Sequence, residues 1–155
     1  MGLEIERKFL LRDEAWRAEV RRSRRLAQGY LADTGGPASV RVRIQGEEAR
    51  LNIKAAVVGA ARAEYDYPLP LADAEQILGG LCVGRVEKTR HYVERDGLTW
   101  EIDEFHGDNA GLVVAEVELG AVDQRIVHPP WLGEEVTEDV RYYNHSLALR
   151  PYAQW

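Results

Sequence analysis

The chain has 155 residues, which suits one domain with a substantial core and leaves little room for two. Its hydrophobic fraction of 45% and charged fraction of 30% are those of a soluble globular protein and argue against wholesale disorder. The net charge of -6 disfavours nucleic acid and anionic membranes, so we expect neither as a partner. A single cysteine, Cys82, excludes an internal disulfide and a cysteine-based zinc site.

The chain lacks the signals of membrane insertion or export. No apolar run approaches the roughly 20 residues of a membrane span, and the N-terminal sequence MGLEIERKF carries charges where a signal peptide would be apolar. We therefore expect a cytoplasmic protein.

Alternation of polar and apolar residues predicts eight strands, separated by turn-forming residues that favour antiparallel hairpins. The predicted strands cover 2–10, 26–32, 39–45, 49–56, 62–68, 85–94, 98–105 and 112–120. The turn-forming segments are Asp33-Thr-Gly-Gly-Pro37, Gln45-Gly46, Asp96-Gly97 and Gly107-Asp-Asn109. The fold class is therefore α+β and rich in β-strands.

Two helices are predicted, over 13–23 with Asp13 as a cap and over 72–79 with Asp73 as a cap. The basic run at 21–25 is interpreted as the solvated end of the first helix. After 129–130 the alternation is lost, which predicts a turn and a short helix packed on the body. The whole chain, 1–155, is expected to form one domain, with a barrel over about 2–120 and a tail over 121–155.

Nearly every polar-face position of seven predicted strands carries a full charge. Side chains at i and i+2 of a strand share a face, so Glu4, Glu6 and Lys8 lie together opposite Ile5. One such face alone would simply meet water. Repeated like-charged pairs, however, cost energy unless opposite charges lie between them. A closed eight-stranded antiparallel barrel with a charged lumen satisfies this pattern, with the helices covering part of its apolar outside.

Inward faces of this kind would hold two sets of groups. The cations, which suit phosphate oxygens, are Lys8, Arg41, Arg43, Lys54, Lys88 and Arg90. The carboxylates, which suit a hard divalent cation, are Glu4, Glu6, Glu116 and Glu118. A metal ion, Mg²⁺ or Mn²⁺, together with a polyphosphate would satisfy both sets.

The ordered motifs resemble the CYTH domain, also called the triphosphate tunnel metalloenzymes. Glu4-Ile-Glu6-Arg-Lys8 is similar to the family's ExExK signature. The later motifs, in family order, are Val-Arg41-Val-Arg43, Leu-Asn-Ile-Lys54, Arg62-Ala-Glu64, Glu87-Lys88-Thr-Arg90, Trp-Glu-Ile-Asp103 and Glu116-Val-Glu118. The resemblance implies an eight-stranded tunnel in which the four glutamates hold metal and the six cations hold phosphates. Glu64 and Asp103 match acidic family positions whose contacts are less defined.

Tyr30 stands on a strand that otherwise brings no charge to the lumen. It is either a wall aromatic with a satisfied hydroxyl or a partner of Lys54 that positions or deprotonates water. The four histidines show neither metal spacing nor a nucleophile partner, and we interpret them as structural or surface residues.

The resemblance to short bacterial family members favours metal-dependent hydrolysis of inorganic triphosphate to phosphate and pyrophosphate. The family also contains thiamine triphosphatases, RNA triphosphatases and class IV adenylyl cyclases, so the fold does not choose the substrate. Hydrolysis of thiamine triphosphate or a nucleotide is the nearest alternative, followed by adenylyl cyclase and then by non-catalytic polyphosphate binding. An oligonucleotide-binding barrel is disfavoured by the net negative charge.

Overall fold

Nine antiparallel strands organise the part of the chain that the computed structural model describes, residues 2–33 and 35–155. The strands are β1 (Gly2–Leu11), β2 (Arg22–Tyr30), β3 (Ala38–Gln45), β4 (Glu48–Ala55), β5 (Ala61–Leu69), β6 (Gly84–Arg95), β7 (Leu98–Phe105), β8 (Val113–Glu118) and β9 (Leu132–Glu135). Their order is β5-β4-β3-β2-β6-β7-β8-β1, and β1 pairs back onto β5. The predicted closed eight-stranded barrel is thereby confirmed.

The ninth strand, which the sequence analysis did not predict, lies beside β1. There Phe9 is paired with Glu135 and Leu11 with Leu132. Only the first part of β1, Gly2 to Ile5, pairs with β5, so β9 takes up the same edge further along. The strand therefore depends on a tertiary pairing and has little local signal of its own.

The predicted helix over 13–23 is wrong. One 3-10 helix, Ala15–Glu19, follows β1, and strand β2 already begins at Arg22. Asp13 does accept a hydrogen bond from the Ala15 backbone N–H at 2.8 Å. The basic run therefore lies largely on a strand, where Arg22 stacks 4.2 Å from the ring centroid of Tyr92 on β6.

Helix α1 (Leu71–Gly80) matches the second predicted helix, and α2 (Asn144–Leu149) matches the short helix predicted in the tail. Asp73 is not the cap of α1, because Pro70 occupies the N-cap position and Asp73 lies in the first turn. None of the helices among the described residues is long and apolar enough to span a membrane.

Two of the hairpins have two-residue turns: Asp96-Gly97, as predicted, and 46–47, one residue beyond the predicted Gln45-Gly46, because Gln45 still pairs with Glu48. Asp96 and Gly97 have φ values of 52° and 76°, the left-handed pair that a tight hairpin requires between β6 and β7. Gly46 has a φ of 61° in the β3–β4 connection. The predicted turn at 33–37 includes Thr34, which lies outside the described residues.

Apolar side chains pack mainly on the outside of the barrel, under the connecting segments. Around Trp100 and Val117 the outer face is covered by Trp16 of the 3-10 helix and by Trp131 of the tail. Helix α1 covers the outer face of β3 and β4, where Ala74 and Leu78 pack against Val42. Gly29 permits this packing, because a Cβ there would lie 2.5 Å from the Cys82 sulfur.

One end of the barrel interior is apolar. Val86, Phe105 and Val114 project from β6, β7 and β8, and Leu147 of α2 packs among them with no exposed surface. Gly84 lets α2 approach, since a Cβ there would lie 2.6 Å from the Ala148 carbonyl oxygen. The remaining interior is left to charged side chains.

Candidate active site

The charged strand faces point into the barrel and surround a cavity of about 960 Å³. The predicted site residues that line it are Glu4, Glu6, Lys8, Tyr30, Arg41, Arg43, Lys54, Glu64, Lys88, Arg90, Glu116 and Glu118. Asp103 is not among the lining residues, because it is fully buried in the wall behind Lys88 and Arg90. The structure thus brings twelve of the thirteen predicted residues to one cavity and puts the thirteenth in contact with two of them.

One part of the wall, here called the basic side, is formed by Arg41 and Arg43 of β3 with Lys88 and Arg90 of β6. Arg41 Nε is buried without a hydrogen-bond partner among the described residues. Burial, with neighbouring Arg41 and Arg90, lowers the pKa of Arg43 to about 9. Arg43 therefore stays protonated at neutral pH. An anion in the cavity would supply the charge and acceptors that the two arginines lack.

Lys88 and Arg90 share the buried carboxylate of Asp103. Lys88 Nζ lies 2.6 Å from Asp103 Oδ2, and Arg90 binds the same carboxylate at 2.8 Å and 2.9 Å in a fork. Burial lowers the pKa of Lys88 to about 7, although Asp103 partly opposes this shift. Arg90 Nη1 also pairs with Glu101 Oε2 at 3.2 Å. Because the two arginines of β3 have no ion pair among the described residues, the basic side keeps an excess of positive charge.

The opposite part of the wall, here called the acidic side, consists of Glu4 and Glu6 of β1 with Glu116 and Glu118 of β8. Two of these four carboxylates are ion-paired with lysines. Lys54 Nζ lies 2.9 Å from Glu4, and Lys8 Nζ lies 3.1 Å from Glu116. Burial alone would raise the pKa of both glutamates, but these neighbouring cations outweigh it and hold each below its ordinary value.

The other two carboxylates, Glu6 and Glu118, face each other across the β1–β8 pair. Burial and the nearby Glu116 raise the pKa of Glu6 to about 7, and the closest cation is Arg62 Nη2 at 3.8 Å. Burial and the surrounding carboxylates Glu4, Glu101 and Glu64 also raise the pKa of Glu118. This half of the acidic side is short of positive charge.

Residues 2–33 and 35–155 contain no preformed cluster of three histidine, cysteine or acidic groups that could hold a metal. The donor chemistry nevertheless fits a hard divalent cation, because Glu6 and Glu118 offer oxygen ligands whose nearest ion-pair contact among the described residues is Arg62 Nη2, 3.8 Å from Glu6. Glu4 and Glu116 lie beside them and are held by lysines that an anion in the cavity can attract away. Hence the four glutamates fit a divalent cation best when a phosphate is also bound.

Tyr30 and Lys54 line the same cavity but contact different groups. The Tyr30 hydroxyl accepts a hydrogen bond from Gln28 Nε2 at 2.9 Å, and its ring stacks on His145 with centroids 4.5 Å apart. Lys54 Nζ instead contacts Glu4 and Glu64. The described contacts thus give each residue its own partners and include no direct bond between the two.

Sequence reasoning missed the residues that the tail brings to the cavity. Tyr143, just before α2, lies 5.2 Å from both Lys8 Nζ and the Arg62 guanidinium, measured to its ring centroid. Asn144 Oδ1 accepts a hydrogen bond from Lys88 Nζ at 2.7 Å. His145 also lines the cavity, although we had interpreted it as structural or surface. The periodicity of the tail gives no sign of these contacts, which depend on how α2 docks.

Comparison with known proteins agrees with this geometry. The CYTH domain matches residues 2–152 of the chain, which include every strand and both helices. The chain belongs to the CYTH domain family. The family resemblance predicted from the charged motifs is thereby confirmed.

Similar CYTH proteins span nearly the same length. An inorganic triphosphatase from Acetivibrio thermocellus is 40% identical over 98% of this chain and 97% of its own length. An inorganic triphosphatase from Nitrosomonas europaea is 39% identical over 94% of this chain and 97% of its own. The crystal structure of the inorganic triphosphatase NE1496 superposes with a TM-score of 0.69 at 37% identity, covering 94% of this chain and 97% of that one. The whole barrel and most of the tail are therefore common to these proteins.

Proposed function

We propose that this chain hydrolyses inorganic triphosphate to phosphate and pyrophosphate inside the barrel, with Mg²⁺ or Mn²⁺ as cofactor. The observation that carries the proposal is the unmatched charge on both sides of one cavity. Among the described residues, the half-buried Arg41 and Arg43 have no ion pair with a carboxylate, and Glu6 and Glu118 have only the contact of Glu6 with Arg62 at 3.8 Å. A triphosphate and a divalent cation together would neutralise both. Relatives at 39–40% identity that are named inorganic triphosphatases support the choice of substrate.

In this proposal the basic side binds the phosphate chain. Arg41 and Arg43 offer planar guanidinium donors, which match phosphate oxygens, and Lys88 and Arg90 add charge from the neighbouring wall. Phosphoryl transfer needs positioning and charge neutralisation more than covalent help from the protein. Because these cations are held in a buried wall, little reorganisation is needed when charge builds up on the transferring phosphoryl group.

Glu4, Glu6, Glu116 and Glu118 would hold the divalent cation, which supplies neutralisation of phosphate oxygens and activation of water when bound. Lys8 and Lys54, released from Glu116 and Glu4, would then be free to contact phosphate. Tyr30 projects its hydroxyl at the edge of the same cavity, where it can orient a water molecule or take its proton. The P–O bond to the terminal phosphorus breaks, and water supplies the oxygen of the released phosphate.

A substrate panel tests the proposal. The purified protein is assayed with inorganic triphosphate, thiamine triphosphate and ATP, each with Mg²⁺ or Mn²⁺, and the products are separated. We expect the highest kcat/KM for inorganic triphosphate, with phosphate and pyrophosphate in equal amounts. A preference for thiamine triphosphate or ATP would mean that the preferred compound, and not inorganic triphosphate, is the substrate. Cyclic AMP with pyrophosphate would mean cyclase chemistry, and binding without turnover would mean a polyphosphate-binding protein.

A further inference from the structure

A buried amide, Gln28, lies behind the cavity wall and contacts three groups from different elements. It stands on β2 with no exposed surface. Its Oε1 accepts a hydrogen bond from Arg43 Nε at 3.0 Å, and its Nε2 donates to Tyr30 Oη at 2.9 Å and to Asn144 Oδ1 at 3.3 Å. The residue thus joins β3, β2 and the N-terminal end of α2.

The chemistry of its neighbours fixes which way the amide points. Arginine can only donate, so the atom that faces Arg43 must be the oxygen of Gln28. The nitrogen consequently faces the hydroxyl of Tyr30. The same argument fixes Asn144, because Lys88 can only donate and takes the Asn144 oxygen at 2.7 Å. Both N–H groups of Gln28 are therefore used, and rotating the amide would break three contacts.

This orientation acts on two groups that line the cavity. Arg43 has no ion pair with a carboxylate among the described residues, so Gln28 is the group that holds the Nε edge of its guanidinium. Because Gln28 occupies an acceptor site of the Tyr30 oxygen, the phenolic hydrogen must point elsewhere. The ring itself is held separately, by stacking on His145.

We propose that Gln28 is a positioning residue that orients both the hydroxyl of Tyr30 and the guanidinium of Arg43 toward bound triphosphate. The inference rests on the proposed function, since it concerns the same cavity. Gln28 itself does not line the cavity and acts only through its two neighbours. Glutamine suits this place because it combines an acceptor for arginine with two donors at one buried position.

Two double-mutant cycles test the proposal. Gln28→Met keeps the length of the side chain and removes every hydrogen bond, and Leu26→Met is the matched control, since Leu26 is also fully buried two residues along β2. We expect Gln28→Met to lower kcat about tenfold through Tyr30 and to raise KM about tenfold through Arg43. In a Tyr30→Phe background the loss of kcat should vanish, and in an Arg43→Ala background the rise in KM should vanish.

The split between kcat and KM separates orientation from a general loss of packing. The effect of Gln28→Met on kcat should disappear only in the Tyr30→Phe background, and its effect on KM only in the Arg43→Ala background. Leu26→Met should leave both constants unchanged. If Gln28→Met does not fold, Gln28→Glu has the same length and keeps an acceptor for Arg43, and its loss of kcat should likewise vanish without the Tyr30 hydroxyl.

Failure of the proposed function is a separate result. If the wild type prefers another triphosphate, the same cycles are run with that substrate. If it turns over none, calorimetric titration of triphosphate in EDTA still measures the part of the binding affinity that depends on Arg43. Gln28→Met should weaken that binding about tenfold. Equal losses of kcat with and without the Tyr30 hydroxyl, or of affinity with and without Arg43, would overturn the proposal.

Discussion

The acidic and basic sides of the cavity differ in how their buried charges are paired. On the acidic side half of the carboxylates are paired with lysines, while Glu6 and Glu118 face each other across a strand pair. On the basic side one buried aspartate serves Lys88 and Arg90, and Arg43 relies on a neutral amide. Burying unpaired charge costs several kcal/mol per ion. The comparison supports the proposal that each side is completed by an ion from outside the protein, a cation on the acidic side and an anion on the basic side.

The largest effect should come from the acidic side. We expect Glu6→Gln or Glu118→Gln to lower kcat/KM at least about a hundredfold, because each removes an oxygen donor for the divalent cation. Excess EDTA should abolish activity of the wild type. Steady-state assays with Mg²⁺ and Mn²⁺ measure the effects of the variants and of EDTA. The control is Glu94→Gln, which changes an exposed carboxylate of β6. Full turnover in EDTA would show that the reaction needs no divalent cation.

Changes on the basic side should come next. Arg41→Ala and Arg43→Ala should each lower kcat/KM by about one to three orders of magnitude, since each removes a guanidinium donor for phosphate from a buried wall. Lysine at either position should rescue only in part, because it lacks the planar fork. Arg25→Ala, at an exposed arginine of β2, should leave kcat/KM unchanged. Normal kinetics of both cavity variants would place substrate binding elsewhere.

A smaller effect is expected from Tyr30, whose strand β2 lies between β3 and β6 of the basic side. Tyr30→Phe should lower kcat roughly tenfold with little change in KM, since the ring stack on His145 survives without the hydroxyl. Lys54→Ala should change both constants. If the two act as a unit, the effects of the double variant on kcat should be less than additive. Wild-type kcat for Tyr30→Phe would return the residue to the role of a wall aromatic.

The smallest effect concerns stability and the charge of Glu6. Its pKa is raised to about 7 in the folded chain, so between about pH 4.5 and 7 the folded state binds more protons than the unfolded state. This group therefore lowers the free energy of unfolding as the pH rises through that window. Glu6→Gln removes the effect, so in EDTA the variant should gain on the order of 2 kcal/mol relative to wild type between pH 5 and 8.

Urea unfolding at a series of pH values measures this difference. Adding Mg²⁺ should shrink it, because the cation neutralises the wild-type carboxylate. A difference that does not change with pH would show that Glu6 is already neutralised by groups within the protein, and the acidic side would then need no cation.

Sequence patterns predicted the barrel and its lumen well where charge alternates with apolar residues, as in Glu4-Ile-Glu6 and Arg41-Val-Arg43. They failed on 13–23, because Arg22 and Arg25 put polar residues on both faces of β2 and only the pairing with β6 makes that segment a strand. Gln28 was missed for a related reason. It is uncharged, and its proposed role depends on contacts with Arg43 of the next strand and with Asn144, which lies 116 residues further along the chain.

The central claim is that one cavity holds a cation on its acidic side and a phosphate chain on its basic side. A crystal structure of Glu118→Gln, slowed in turnover, with Mn²⁺ and triphosphate tests it most directly, and the wavelength dependence of anomalous scattering identifies manganese. We expect a manganese peak against Glu4, Glu6 or Glu116 and phosphate density against Arg41 and Arg43. Triphosphate bound on the outer arginines of β2, or manganese away from β1 and β8, would contradict the account.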